Sequence, residues 1–484
     1  MYEQNNYFNL NLFFKKNKNN PLIKSINNRT ITYGQFYKKS LELYNFFNVM
    51  GLKKEDKIII KLDNCIEYLH IYLSCLIGGF VACPIDPEIK NERYSEIKKI
   101  LNPQLIIEKR GQIKFLKSKK KINEKININN EFLIIQTSGT TGDSKGILFD
   151  LKAIIKSSIN FAKISNLDVN SIIYHHLPMY YMAGVLNTFF SPVISGSRIV
   201  LGSMTTGKEL LNFWKIPTKY KVNNLNLTPS MCFSLCSIFR GNINEKKEIK
   251  KIKNIISIGS SLYPSIKKNF KSIFDINLRH CYGITECGGP LTVQSLKKSQ
   301  QMDDCGIFGV NTIFEIRDKT NGTGKIFVKN NFLMKGYLTL KGLVESKGKR
   351  NFFETGDFGY LKNNLLYITG REKEIIKKGG ELISLGLIES KVMENDQILG
   401  AAAITIKDEL MSEKIILFVS LIQSKIANKT SIIGLLYDYL ALKLKKIEIP
   451  DEIKIISEIP KNKNDKTDKN YLKNLCNKTL NEKN

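Results

Sequence analysis

The stretch Thr137-Ser-Gly-Thr-Thr-Gly-Asp-Ser-Lys-Gly146 decides how the chain is read. The run before it, Glu131-Phe-Leu-Ile-Ile-Gln136, is apolar and of β type, and a more helical stretch begins at about Leu151. A strand therefore feeds a glycine-rich loop. Gly139, Gly142 and Gly146 carry no Cβ, so backbone N–H groups can turn inward toward an anion. Thr137, Ser138, Thr140 and Thr141 add hydroxyl donors, and Lys145 adds a charge. That set suits a polyphosphate. It is not a Walker A loop, because no G-x-x-x-x-G-K-[ST] can be read in it. The plain alternative is a solvated Ser/Thr/Gly turn, but the ordered string favours phosphate.

Working outward, 484 residues exceed one ordinary core, so two or three packed units are expected. The net charge of +29 raises nucleic acid or a membrane surface as a partner. The excess is scattered lysine, with few arginines and no basic–aromatic cluster, so nucleic-acid binding is not expected. Nine cysteines and four histidines show no metal-ligand spacing, and reduced thiols in a cytoplasmic protein are the expectation. The N-terminus has no secretory pattern. The most apolar stretch, Tyr68 to Ile85, is broken by His70, Gly78, Gly79 and Pro84. It fits a buried helix and a buried strand (Phe80–Cys83) better than a transmembrane span.

Strands and helices alternate through most of the chain. Strands are expected at Thr30–Tyr33, Lys57–Lys61, Ser171–Tyr174, Ser197–Leu201 and Asn254–Ile258. Helices are expected at Gly34–Met50 and Val185–Phe190. That alternation argues for parallel sheets in an α/β fold. Lys114 to Asn130, rich in Lys and Asn, reads as an exposed loop. After Leu291 short strands at Ile313–Arg317, Gly324–Val328 and Leu365–Ile368 point to a small β-rich subdomain. A boundary is expected at Gly370. A compact α+β unit should follow, with strands near Ala401–Ile406 and Ile415–Leu421 and a helix over Ile432–Lys443.

Further short motifs follow in order. His280-Cys-Tyr-Gly-Ile-Thr-Glu286 sets a ring, a glycine, a hydroxyl and a carboxylate within five positions. Tyr282 can stack on a purine, Thr285 can donate to a phosphate, and Glu286 can hold Mg²⁺. Read alone, it is a turn with a helix cap. Glu354-Thr-Gly-Asp357 is alone a turn, but Asp357 offers two acceptor oxygens to two donors. Gly370-Arg-Glu-Lys-Glu374, continuing to Ile383, is alone a charged hairpin, and Ile459 to Lys469 a basic tail.

Taken together, and with Pro84-Ile-Asp-Pro87, these motifs resemble the adenylate-forming superfamily: acyl-CoA synthetases, adenylation domains of peptide synthetases, and luciferases. The resemblance runs from about Thr30 to Lys469 and is strongest to acyl-CoA synthetases. It implies a large N-terminal domain, 1–369, of α/β subdomains plus the β-rich subdomain, and a small mobile α+β domain, 370–484. It also implies that Asp357 and Arg371 meet the ribose and that Gly259, Ser260, Ser261 and Gly283 border the nucleotide. Lys373 stands at the hinge, and Gly379 and Gly380 line a thiol tunnel. Tyr181 and Gly184, in a "P-x-x-H-x-x-G" segment where Tyr181 replaces His, border the acyl pocket. Lys466 aligns with the catalytic lysine, acting with Glu286 and Thr141. Here Asp465 replaces a glycine and Lys469 an arginine. The implied reaction uses ATP and Mg²⁺ to make acyl-AMP, then passes the acyl group to coenzyme A. The implied alternatives are a separate phosphopantetheine carrier protein as acceptor, and a relative that binds nucleotide without catalysis. The acid itself is not readable.

Overall fold

The computed structural model describes the chain apart from residues 1–2, 5–6, 27, 118–124, 139–143, 206, 297–303, 321, 347–351, 379–380, 409–411, 423–428, 462–466 and 482–484. The expectations at Gly139, Thr140, Thr141, Gly142, Gly379, Gly380 and Lys466 lie outside the described residues, as do the side chains of Thr137, Ser138 and Lys373.

Two large sheets form the first part of the molecule. The seven-stranded sheet is parallel over Leu105–Ile107, Lys57–Ile60, Val81–Pro84 and Glu131–Ser138, then antiparallel through Ser144–Asp150, Gly336–Thr339 and Gly342–Glu345. The nine-stranded sheet has a parallel centre running Arg279–Ile284, Asn254–Ser257, Asn224–Leu227, Ile172–His175, Arg198–Leu201 and Pro21–Ser25. Ile58, Ile60, Leu133, Ile135, Ile199 and Ile256 share one buried apolar core with helices that pack on these sheets. Asn64 pins one layer to the next: its side chain donates to the Leu177 carbonyl (2.8 Å) and accepts from the Met179 N–H (3.0 Å).

The helices start and stop where local chemistry dictates. Thr32 caps Tyr33–Val49 through a reciprocal bond pair with Gln35. Asp150 accepts from the Ala153 N–H and opens Leu151–Ile164. The helix Ile66–Gly78 is buried at every position from Tyr68 to Ile77 and stops at Gly79, which is left-handed. That burial explains why the stretch is so apolar.

A four-stranded antiparallel sheet follows, Ile313–Thr320, Thr323–Lys329, Phe353–Lys362 and Leu365–Arg371. The last unit carries its own core, including Ile388, Val392, Leu417, Val419, Leu436 and Leu440. Its sheet is Ile398–Asp408, Ser412–Leu421 and Glu452–Ile455. Among the described residues no helix is long and apolar enough to cross a membrane.

Three expectations need correction. Lys114–Asn130 is not simply an exposed loop: Lys125–Asn127 pairs with Tyr7–Asn9, and Ile126 and Ile128 are buried. The Thr137–Gly146 stretch does not run from strand to loop to helix, because a second strand, Ser144–Asp150, comes before the helix. Gly146 therefore belongs to a strand, opposite Gln136 and Leu338, and a Cβ there would lie 2.6 Å from Ile134 Cγ2. Its bareness serves packing between strands. Finally, Gly370 still pairs with Phe358 inside the last strand of the four-stranded sheet, and the chain leaves that sheet after Arg371.

Candidate active site

The sheet register places Thr137 opposite Lys145 and Ser138 opposite Ser144, at the ends of two paired antiparallel strands. Next to that pair the Gly336–Thr339 strand sets Tyr337 opposite Ile147. The Lys145 ammonium lies 5.9 Å from the centre of the Tyr337 ring, within cation–π range. The Tyr337 hydroxyl donates to Glu286 Oε1 at 3.2 Å. Burial first, and then the Glu286 charge, raise the Tyr337 hydroxyl above its usual range, so it stays a donor. Lysine, phenol and carboxylate are thus gathered from three separate strands and turns.

Glu286 sits in the single turn Thr285–Cys287 that ends the strand Arg279–Ile284. The Met334 N–H donates to its carbonyl at 2.9 Å. Asn160, on the helix Leu151–Ile164, steadies the next strand, donating to the Pro290 carbonyl (2.9 Å) and accepting from the Val310 N–H (2.7 Å). Gly283 lies so close to the following strand that a Cβ would stand 2.3 Å from the Gly289 carbonyl oxygen.

Four residues before Glu286, on the same strand, is Tyr282. Its ring is buried against Phe314, and its hydroxyl donates to Asp357 Oδ2 at 2.7 Å. Burial first, and then Asp357, push that hydroxyl far above its usual range. Asp357 is 3% exposed, and its other oxygen, Oδ1, lies 3.2 Å from Arg371 Nε. Its backbone N–H donates to the Thr355 hydroxyl at 3.1 Å. The register explains the pairing, since Asp357 and Arg371 are direct cross-strand neighbours. A phenol and a guanidinium thus hold the buried carboxylate, one at each oxygen.

Gly259, Ser260 and Ser261 are exposed, in the turn that leaves the strand Asn254–Ser257 at its carboxyl end. In open α/β sheets such ends form the ligand crevice. The half-buried His280 ring is bonded to the backbone of Ser260 and ties that turn to the Tyr282 strand.

Gly184 is buried in the π-type helix Ala183–Phe190, where a Cβ would stand 2.0 Å from the Pro178 carbonyl oxygen. Tyr181 is half-buried, with its ring centre 4.6 Å from that of Tyr180. Burial and the nearby Asp86 raise the Tyr181 hydroxyl to about 12. Tyr180 hydrogen-bonds Asp86, in the Pro84–Pro87 segment.

The structure thus joins Tyr282, Asp357 and Arg371 in one cluster and Lys145 and Glu286 in a second, linked by five residues of one strand and turn. Sequence reading did not assign Tyr337, Thr355 or Tyr282's hold on Asp357. Tyr337 and its partner Glu286 lie 51 residues apart in the sequence. Among the described residues no three His, Cys, Asp or Glu side chains gather as a metal-ligand set. All nine cysteines are free and buried.

The chain is 23% identical over 354 residues to a sulfoacetate–CoA ligase of Cupriavidus necator, covering 71% of this chain and 66% of that one. It is 24% identical to bacitracin synthase 3 of Bacillus licheniformis, covering 92% of this chain but 7% of that much longer protein. In fold it matches ATP-bound MatB from Rhodopseudomonas palustris with a TM-score of 0.83, at 18% identity, over 96% of this chain and 98% of that one. The family model described as "AMP-binding enzyme" matches residues 13–338, about two thirds of the sequence, and the chain belongs to that family.

Proposed function

We propose that this protein is an acid–thiol ligase that activates a carboxylic acid with ATP and passes the acyl group to coenzyme A. The observation that carries the reading is the buried Asp357, held by Tyr282 and Arg371 one strand-turn away from Glu286, Tyr337 and Lys145. A buried carboxylate is thus bonded to the strand whose end turn carries a second carboxylate, with a cation beside the phenol that holds the latter, an order that suits a ribose followed by a polyphosphate.

In the first half-reaction a carboxylate oxygen of the acid attacks the α-phosphorus of ATP. An O–P bond forms, the bond to the β-phosphate breaks, and pyrophosphate leaves. No general base is needed, because the nucleophile is already ionised. The obstacle is charge, so catalysis is positioning and electrostatic stabilisation. Lys145 and the 137–142 donors neutralise the departing pyrophosphate, and Lys466 bridges carboxylate and phosphate. Asp357 and Arg371 hold the ribose, while Gly259, Ser260, Ser261, Gly283 and Thr285 border the nucleotide. Tyr181 and Gly184 border the acid.

Glu286 fits Mg²⁺: it is a hard oxygen donor, half-exposed, with one oxygen steadied by Tyr337. Mg²⁺ is commonly held by one or two carboxylates together with substrate phosphates, so the lack of a larger acidic set among the described residues is no obstacle. When bound, it supplies charge neutralisation.

In the second half-reaction a thiol attacks the acyl carbon and AMP leaves. Lys466 obstructs that approach, so the 370–484 domain turns about Lys373 and brings Gly379 and Gly380 to the thiol. Similarity to bacitracin synthase 3 over 92% of this chain supports a second reading, in which the thiol belongs to a separate carrier protein. The deciding assay gives the protein ATP, Mg²⁺ and hydroxylamine with short, medium and long fatty acids, aryl acids and amino acids. Hydroxamate with pyrophosphate is the expected product for at least one acid. Repeating it with coenzyme A and with a phosphopantetheinyl carrier identifies the acceptor. Absence of ATP binding would sink the reading.

A further inference from the structure

We infer that Glu389, clasped between Tyr263 and Lys469, is a positioning residue that latches the turn bordering the nucleotide to the C-terminal unit. The inference rests on the reaction proposed above. Tyr263 directly follows Gly259–Leu262 and precedes the helix Pro264–Phe274. Its hydroxyl donates to Glu389 Oε2 at 3.3 Å, across 126 residues of sequence. The Tyr263 ring also packs against the core of the C-terminal unit. Glu389 lies on the helix Leu385–Val392 and is 7% exposed. Its Oε1 accepts from the Ala403 N–H at 2.8 Å and lies 2.8 Å from Lys469 Nζ. The same ammonium lies 2.8 Å from Glu374 Oε1, one residue beyond Lys373.

Lys469 opens the last helix, Lys469–Asn481, three residues after Lys466. The approach to it is fixed on both sides. Lys461 and Thr467 form a β-bridge, and the Asp468 N–H donates to the Pro460 carbonyl at 2.8 Å. One cation therefore ties together the residue beside Lys373, the helix Leu385–Val392 and the start of the last helix, and Glu389 passes that tie to Tyr263.

The chemistry of the cluster favours a role in arrangement over one in stability. Burial works against the Lys469 charge, but Glu389 and Glu374 outweigh it and keep the ammonium protonated above its usual range. Burial raises the Glu389 carboxyl despite Lys469. Buried ion pairs gain little over packed apolar groups, and their best-attested use is to select one geometry among several. The same helix end offers a second link, Lys268 to Asp396 at 3.7 Å, but both side chains are exposed and water screens the pair. Among the described side chains, the buried polar link across to the nucleotide turn is the Tyr263–Glu389 hydrogen bond, beside the packing of the Tyr263 ring. Such a bond can hold the C-terminal unit against the nucleotide turn for adenylate formation and still open when that unit turns for thioester formation.

The test uses the full chain with Tyr263→Phe, which keeps the ring, and Glu389→Gln. Acyl-AMP formation is followed by pyrophosphate release, and thioester formation from supplied acyl-AMP and coenzyme A. Tyr263→Phe is expected to lower kcat for the first half-reaction about tenfold, the loss of one hydrogen bond to a charged group, with KM for ATP near its original value. The second half-reaction should keep its rate. Glu389→Gln should act in the same direction and more strongly. Equal loss in both half-reactions, or none in the first, overturns the latch. Amide hydrogen exchange gives a readout free of turnover: Tyr263→Phe should speed exchange in Leu385–Val392 and leave the central strands of both large sheets protected. Unchanged exchange there also overturns the latch. If the unaltered protein makes no adenylate while this exchange effect is present, the proposed function fails and the contact stands.

Discussion

Asp357 is committed on both oxygens before any ligand arrives, to Tyr282 on one side and Arg371 on the other. Replacing it with asparagine keeps the shape, removes the charge and turns one acceptor into a donor facing Tyr282 and Arg371. Hydrogen bonds to charged groups contribute about 1.5–3 kcal/mol, so Asp357→Asn should weaken ATP binding roughly ten- to a hundredfold by calorimetry. Unaltered affinity would remove Asp357 from the nucleotide site. Lys466→Ala should instead leave ATP binding within about twofold and lower adenylate formation at least a hundredfold, since its work is electrostatic and confined to the transition state. Intact pyrophosphate release would reassign the lysine. At this scale the sequence is legible where function rests on a short string, as with Asp357 and Glu286. It is silent where function rests on a meeting: Tyr337 and Tyr263 are ordinary tyrosines until folding brings Glu286 and Glu389 to them.

Two glycines show how an element constrains its own sequence. At Gly184 a Cβ would meet the Pro178 carbonyl oxygen at 2.0 Å, and backbone cannot step aside. At Gly146 the nearest atom is Ile134 Cγ2 at 2.6 Å, the end of a side chain that can rotate. Overpacking a tight core costs about 1–3 kcal/mol. Gly184→Ala should fall at the top of that range or beyond, and Gly146→Ala near the bottom, in urea unfolding midpoints. Equal losses would mean that the backbone near Pro178 yields as easily as a methyl group. Most elements were readable because burial imposes a period, as along Gly34–Met50, or because a fully buried strand is a run of Ile and Val, as at Lys57–Lys61. The strand Ser144–Asp150 was missed for a physical reason. Ile147, Leu148 and Phe149 are all buried, so both faces are apolar and alternation vanishes. Lys125–Asn127 was missed because a three-residue strand in a Lys/Asn-rich stretch has too few positions to show a period.

Across the whole molecule, burial reaches the ionisable side chains as well as the apolar ones. The four histidines are His70, His175, His176 and His280, and each is held below its ordinary range. Burial is the first cause in every case, and the values fall from 6.5 to about 3 for His70, His175 and His280 and about 4 for His176. Lys39, His176 and Lys267 add repulsion at His70, His175 and His280 respectively. The unfolded chain therefore binds protons that the folded chain refuses. The stability that neutral histidines contribute is present above pH 6.5 and is lost as the pH falls toward 4. Between pH 6.5 and 5.5 the loss is on the order of 1 kcal/mol per histidine, so about 4 kcal/mol if the four titrate independently. Glu389 acts with the opposite sign: burial raises its carboxyl, so acidification relieves the cost of its buried charge. One such group opposes four. Urea unfolding at pH 7.5, 6.5 and 5.5 should show a small change over the first interval and a steep fall over the second. Equal stability at all three values would mean that the imidazoles reach water, and with it that the packing between sheets and helices around them is looser than the fold described here.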